Sequence, residues 1–254
     1  AATPAEAVAG AEAVFTMLSD GPAVAALLFD QGVAAAIPRG ALVIDTSSIA
    51  PAEARAHAAR LAEAGVGHLD APVSGGPSGA EAAKLAIMVG GEPADWERGR
   101  PLLEALGRPT LIGGPGAGQV GKLGNQIIVA LAIGAVAEAL LLAGEGGADA
   151  AALRQAMTGG LADSLVLQIH GQRMLDRTWL PGGPCAMHLK DMDNVLAEAK
   201  GLGLTLPLAE RARELFARLK EHRGPRVDHA GLLLELERLN PGHRLGAAED
   251  RLPD

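Results

Sequence analysis

The spacing of apolar residues changes once along the chain, near residue 115. Before that point, short apolar runs at 13–18, 41–45, 68–73, 85–89 and 110–112 alternate with segments of helical spacing, which predicts parallel strands joined by crossover helices. The segment 51–64 opens on Pro51 behind Ser47 and Ser48, a first-turn proline with hydroxyl cap candidates ahead of it. In 94–106, Trp96, Leu103 and Leu106 recur at helical intervals. Beyond Gly118 the periods are long and helical, broken at Gly146-Gly147, Gly159-Gly160, Pro181-Gly182-Gly183-Pro184 and Gly201-Leu202-Gly203. These patterns predict an α/β unit over 1–116, an all-helical unit over 117–240, and a flexible tail over 241–254 where Pro, Gly and charge mix without period.

The run 127–144 is apolar except at Glu138 and just reaches the length of a membrane-spanning helix. It is rich in alanine and has no Trp or Tyr at its ends, so the expectation is a buried helix of a soluble domain and no membrane partner. With 254 residues, 48% hydrophobic and 20% charged, the chain can bury one large core or two modest ones. A net charge of -8 without any Lys/Arg cluster argues against nucleic acid as a partner. The single cysteine, Cys185, has no second thiol, and this fits a reducing cytoplasm. The first ten residues have neither the basic start nor the apolar run of a signal peptide. Residue 1 is not methionine, which is compatible with a piece of something longer.

The segment Gly113-Gly114-Pro115-Gly116-Ala117-Gly118-Gln119-Val120-Gly121-Lys122 follows a strand and opens a helix, and it has three readings. As G-x-G-x-x-G it resembles a dinucleotide fingerprint, but the helix runs on where a second strand should follow. As a P-loop it lacks the Ser or Thr that holds magnesium, because Leu123 stands there. In the third reading Lys122, Asn125 and Gln126 share one helical face, where an ammonium can protonate a nascent alkoxide and an amide can hold the same small acid. Spacing alone leaves open a solvated lysine beside a helix cap.

In Asp70-Ala71-Pro72-Val73-Ser74-Gly75-Gly76-Pro77 a strand runs into two glycines, suited either to holding a carboxylate on Ser74 and successive N–H groups or to an ordinary tight turn. Asp45-Thr46-Ser47-Ser48-Ile49-Ala50-Pro51 is either a ligand contact or the cap of the next helix. His188 with Asp191 or Met192 makes no metal ligand set, and His57, His68, His170, His222, His229 and His243 show no metal or triad spacing. No metal is expected.

In order along the chain, Thr16-Met17-Leu18, the segments 45–51, 70–76 and 116–125, and Lys190-Asp191 resemble the β-hydroxyacid dehydrogenase family. The likeness spans about residues 3–239, and five spaced motifs together are far more specific than any one of them. The resemblance implies a Rossmann-like domain followed by a helical domain that helps form homodimers or homotetramers. It implies an oxidoreductase that passes hydride between NAD or NADP and a small hydroxy or oxo carboxylic acid. Lys122 would be the catalytic acid/base, Asn125 and Gln126 substrate contacts, and Ser74, Gly75 and Gly76 the cradle of the substrate carboxylate. Leu18 and Ser48 would lie along the cofactor near its nicotinamide ribose, and Lys190, with Asp191 beside it, would reach the cofactor from the helical domain. Within the family, Gln126, the Gly159-Gly160-Leu161-Ala162-Asp163-Ser164 stretch and Asp228-His229 are closer to tartronate semialdehyde reductases than to 3-hydroxyisobutyrate dehydrogenases, which usually have Asn-Asn at 125–126.

Members of the family begin with a strand, a glycine-rich turn and a helix that seat the cofactor pyrophosphate, and the sequence shows no such unit. The expectation for these residues by themselves is an exposed sheet edge and weak or absent NAD(P) binding. The residue that separates NAD from NADP belongs to that same unit. Two rivals to the enzyme follow: a cofactor-less dehydrogenase remnant acting as a binding or scaffold protein, and a nucleotide hydrolase.

Overall fold

The computed structural model describes residues 1–254, which divide into two compact units, Ala1–Asn125 and Gln126–Asp254. The first holds strands β1 (Ala13–Thr16), β2 (Leu42–Asp45), β3 (Gly67–Asp70), β4 (Val73–Ser74), β5 (Leu85–Gly91) and β6 (Gly107–Gly113). Its helices are α1 (Pro4–Val8), α2 (Gly21–Ala25), continued by a π-helical turn at Ala26–Asp30, α3 (Val33–Ala36), α4 (Pro51–Glu63), α5 (Gly76–Glu81) and α6 (Pro93–Glu104). Thr3 and Asp20 start α1 and α2 by accepting the N–H groups of Glu6 and Ala23.

The sheet order is β1-β2-β3-β5-β4, with β6 beside β5. β1, β2 and β3 are parallel, as are β5 and β6. β5 runs antiparallel to β3 and β4, so the all-parallel expectation is corrected to a mixed sheet. The reason is length: only the six-residue α5 lies between β4 and β5, too short for a crossover that needs a dozen or more residues. The expected strand 68–73 is also divided, because Pro72 has no N–H to offer a ladder. β1 has β2 as its single neighbour and so forms one edge of the sheet.

β2 is buried on both faces, which explains its unbroken apolar run. Val43 packs with Val24, Leu28, Ala54 and Leu61 on one face, while Leu42 and Ile44 pack with Leu69, Ile87 and Leu103 on the other.

The 29-residue helix α7 (Ala117–Glu145) begins in the first unit. The second unit continues with α8 (Ala150–Met157), α9 (Leu165–Leu175), α10 (Cys185–Gly201), α11 (Pro207–Arg223), a 3-10 turn at His229–Gly231 and α12 (Leu232–Leu239). By compactness the first turns of α7 go with the α/β unit, because they are bonded to the sheet. α7 is long and apolar enough to cross a membrane, and 33% of its most apolar 18-residue window is buried. The buried helix expected there is therefore buried on one face only: Ala130, Ile133, Ala137 and Leu140 point inward, while Ile128, Ala135 and Leu142 are exposed.

The tail expected to be flexible is tied down instead. The Trp179 N–H donates to the Arg251 carbonyl and the Arg251 N–H to the Arg177 carbonyl, on either side of a bridge at Thr178; Asp250 accepts from Arg177 and the Trp179 indole, and Leu245 is buried. The sequence hid this because those partners are some 70 residues away, with no period to reveal them.

Candidate active site

Thr16, Asp45 and Asp70 end β1, β2 and β3 and stand in register. Three polar side chains thus line the carboxyl ends of parallel strands, where open α/β sheets hold ligands. All three are buried. Thr16 donates its hydroxyl to Asp45 Oδ1 at 2.8 Å, and the same oxygen accepts the Ser47 N–H at 3.0 Å. Ser47 Oγ in turn accepts the Leu18 N–H at 2.8 Å. Burial pushes the Asp45 carboxyl above its ordinary range, against the bonds from Ser47 and Thr16 and the nearby His57. Two strand-end loops are fixed in this way, one carrying Leu18 and the other Ser48. The hydroxyls before α4 are not its caps: the N-cap is Ala50, and the Glu53 carboxylate accepts the Ala50 N–H at 2.8 Å.

Asp70 faces the start of α7. Its two oxygens accept the N–H groups of Gly116 at 2.8 Å and Gln119 at 2.9 Å, which sets a carboxylate against the positive end of a long helix. Burial still pushes this carboxyl up to about 6. Close approach depends on two glycines: a Cβ at Gly118 would collide with the Asp70 carbonyl, and one at Gly90 would lie 2.5 Å from the Gly118 nitrogen.

One turn further, Lys122 is buried and its Nζ donates to the Val73 carbonyl at 2.8 Å. The ammonium therefore lies at the end of β4, one residue from Ser74. Gly75 and Gly76 follow with φ of +137° and +63°, conformations that favour glycine, and both are exposed. An ammonium, a hydroxyl and exposed peptide groups gathered in this way suit a small carboxylic acid with a reacting oxygen. Asn125 is half-buried, three residues beyond Lys122 on the same helical face.

In the helical unit, Asp191 Oδ2 accepts from Gln126 Nε2 at 2.6 Å, and Asp191 Oδ1 lies 3.3 Å from Lys190 Nζ. Gln126, Lys190 and Asp191 thus form one cluster in which the Gln126 amide nitrogen is committed to Asp191. The histidines, which show no grouping in the sequence, do group here. His170 meets His229 edge-on at 4.4 Å, and His188 lies 5.3 Å from His229. The fully buried Asp228 adjoins them, accepting the N–H groups of Gly182, Gly183 and Ala230 and pairing with the Arg173 guanidinium at 3.1 Å. With three peptide donors on its two oxygens, Asp228 closes loops.

For a dinucleotide, the relevant feature is the pair of loops at the ends of β1 and β2. Met17 is exposed there, Leu18 and Ser48 are half-buried, and the backbone beside them is fixed by Ser47; this fits the nicotinamide end. Residues 1–116 match the family described as the NAD binding domain of 6-phosphogluconate dehydrogenase. Residues 116–236 match the one described as NAD-binding of NADP-dependent 3-hydroxyisobutyrate dehydrogenase. The 2-hydroxy-3-oxopropionate reductase of Escherichia coli K12 is 46% identical over 234 residues, covering 91% of this chain and 80% of the reductase. The chain belongs to the β-hydroxyacid dehydrogenase family.

Solved β-hydroxyacid dehydrogenases share the fold. A 3-hydroxyisobutyrate dehydrogenase from Salmonella typhimurium superposes with a TM-score of 0.84 at 29% identity, over 92% of this chain and 82% of its own. The Mycobacterium tuberculosis 3-hydroxyisobutyrate dehydrogenase with L-serine superposes with a TM-score of 0.82 at 33% identity, over 91% and 81%. As a β-hydroxyacid dehydrogenase, this protein is an oxidoreductase that uses NAD or NADP.

Sequence reasoning missed Thr16, Ser47, Asp70 and Gln119 as site builders. A signal existed for the acids: Asp45 and Asp70 each close an apolar strand, where an acidic residue is out of place unless it has backbone donors to hold.

Proposed function

We propose that this β-hydroxyacid dehydrogenase reduces 2-hydroxy-3-oxopropionate (tartronate semialdehyde) to glycerate, with Lys122 as the proton donor. One observation carries the assignment of Lys122: its ammonium lies 2.8 Å from the Val73 carbonyl, beside the Ser74-Gly75-Gly76 turn. The choice of substrate draws on the 46% identity to the Escherichia coli reductase.

The Ser74 hydroxyl and the N–H groups of the following glycines hold the substrate carboxylate, and the Asn125 amide bonds its 2-hydroxyl side. NADH or NADPH, when bound along Leu18 and Ser48, supplies the hydride that the aldehyde carbon accepts. Lys122 gives its proton to the aldehyde oxygen as that oxygen takes on negative charge, and the product is a primary alcohol. In the reverse direction the neutral amine takes the proton back. Lys190, tied to Asp191, is the cofactor contact that the helical unit contributes, and the cytoplasm is the setting. A second copy of the chain covers the outward stripe Ile128, Ala135 and Leu142, whose seven-residue spacing suits paired helices; sedimentation velocity decides this.

Proton donation by a positioned group is worth roughly 10² to 10⁴ in rate. Lys122→Ala should lower kcat by that factor while leaving the affinity for reduced nicotinamide, followed by fluorescence, near the wild-type value. Near-normal turnover removes Lys122 from the chemistry. A higher kcat/KM on the 3-hydroxyisobutyrate pair than on the glycerate pair moves the substrate to the other branch of the family.

A further inference from the structure

Gln119 is 1% exposed, and its three bonds reach two separate strand ends. Its Oε1 accepts the Ile49 N–H at 3.1 Å, its Nε2 donates to the Ser47 carbonyl at 2.8 Å, and its own N–H donates to Asp70 Oδ2 at 2.9 Å. Ser48 sits between the two residues gripped by the side chain. Lys122 lies three residues along the same helix, so the side chain that clamps the Ser48 loop belongs to the turn preceding the ammonium.

We infer that Gln119 is a positioning residue: it locks the loop that carries Ser48 to the first turns of α7, so that the cofactor side of the site and the Lys122 ammonium keep one fixed spacing. The inference rests on the proposed roles of Ser48 and Lys122. An amide donates and accepts at once, which neither a carboxylate nor a hydrocarbon chain does. It therefore satisfies a carbonyl and an N–H two residues apart without adding charge to a buried place. A loop displaced by about 1 Å is enough to cost on the order of 100-fold in rate, so the lock has consequences beyond stability.

Two variants test this. Gln119→Met removes both side-chain bonds. Gln119→Glu keeps the bond from Ile49 and donates to the Ser47 carbonyl only when its carboxyl is protonated. For Gln119→Met we expect the KM for reduced nicotinamide to rise about tenfold or more, with the KM for the hydroxyacid or oxoacid unchanged because the Ser74 turn is untouched. For Gln119→Glu the same loss should shrink as the pH falls, a recovery that Gln119→Met does not show. The Ile49 amide should exchange faster with deuterium in Gln119→Met. This readout and the fluorescence-measured cofactor affinity do not depend on the substrate, so a misassigned acid would leave them intact. Unchanged cofactor affinity in both variants, or both KM values rising together alongside a collapse of Tm, overturns the inference.

Discussion

In the α/β unit the buried carboxylates of Asp45 and Asp70 accept from peptide N–H groups and a hydroxyl, and both are shifted upward by burial. In the helical unit Asp228 also accepts peptide N–H groups, but other acids there face guanidinium groups. Asp250 and Glu237 hold Arg177, and Glu235 holds Arg238; burial works against Asp250 and Glu235, but their partners keep both carboxyls below the ordinary range. The first arrangement fixes backbone at strand ends, where a ligand needs stationary peptide groups. The second joins distant segments of chain. Similar residues thus organise a site in one unit and a scaffold in the other.

The largest effect should come from the scaffold. Arg177 is 1% exposed, donates two bonds to Glu237 at 2.7 and 2.8 Å and one to Asp250 at 2.8 Å, and a further one reaches the Leu245 carbonyl at 3.0 Å. Removing one partner of a buried pair leaves the other charged and uncompensated, at a cost of about 3–5 kcal/mol. Arg177→Met should lower the urea midpoint accordingly and expose 241–254 to proteolysis. A small shift would mean that the guanidinium does not join these segments, and the contrast between the units would weaken.

Acid should separate the units next. Burial, with His229 beside it, holds His170 down to about 4, and burial does the same to His229, whereas in the unfolded chain both titrate near 6.5. Between those values the unfolded state binds protons that the folded state refuses, so stability falls as pH falls. Glu235 and Asp250 act in the same direction further down, since the benefit of their lowered pKa is lost on protonation. In the α/β unit the signs oppose. His57 and His68, both held down by burial and His68 to about 3, behave like the other histidines, but Asp70 at about 6 and the raised Asp45 take protons more readily when folded and gain stability as pH drops toward 3.8. Trp96 lies in the first unit and Trp179 in the second, so fluorine NMR of fluorotryptophan-labelled protein reports on each. On titration from about pH 7 to about pH 5 in mild urea, the Trp179 signal should lose its native position first. Loss at Trp96 first, or at both together, would show that the opposing groups do not govern acid stability.

Periodicity revealed the strands, α4, α6 and α7, though not the short helices α1, α2, α3 and α5. Burial of β2 on two faces and α7 on one leaves a pattern in the residues themselves, and a helix of four to six residues does not. It could not reveal the direction of β5, which depends on how little chain follows Ser74. Lys122, Ser74 and the glycines were legible because ammonium, hydroxyl and glycine each announce a chemistry. Gln119 was not, since its side chain meets peptide groups 70 and 72 residues away, and any residue supplies a peptide group. The tail was misread for the same reason: Asp250 looks like an exposed acid until Arg177 and Trp179 are beside it.

The smallest effect falls on an arginine with the same partner chemistry as Arg177. On α11, Arg218 pairs with Glu214 four residues earlier, and their side chains are 38% and 45% exposed. Water already solvates both groups well, salt screens their attraction, and ordering two long side chains offsets most of what remains. Arg218→Ala should therefore move the urea midpoint slightly at low salt and not measurably at high salt. A shift approaching that of Arg177→Met would mean that the number of ion pairs, rather than their burial, holds the helical unit together, and the distinction between its scaffold charges and its surface charges would fall.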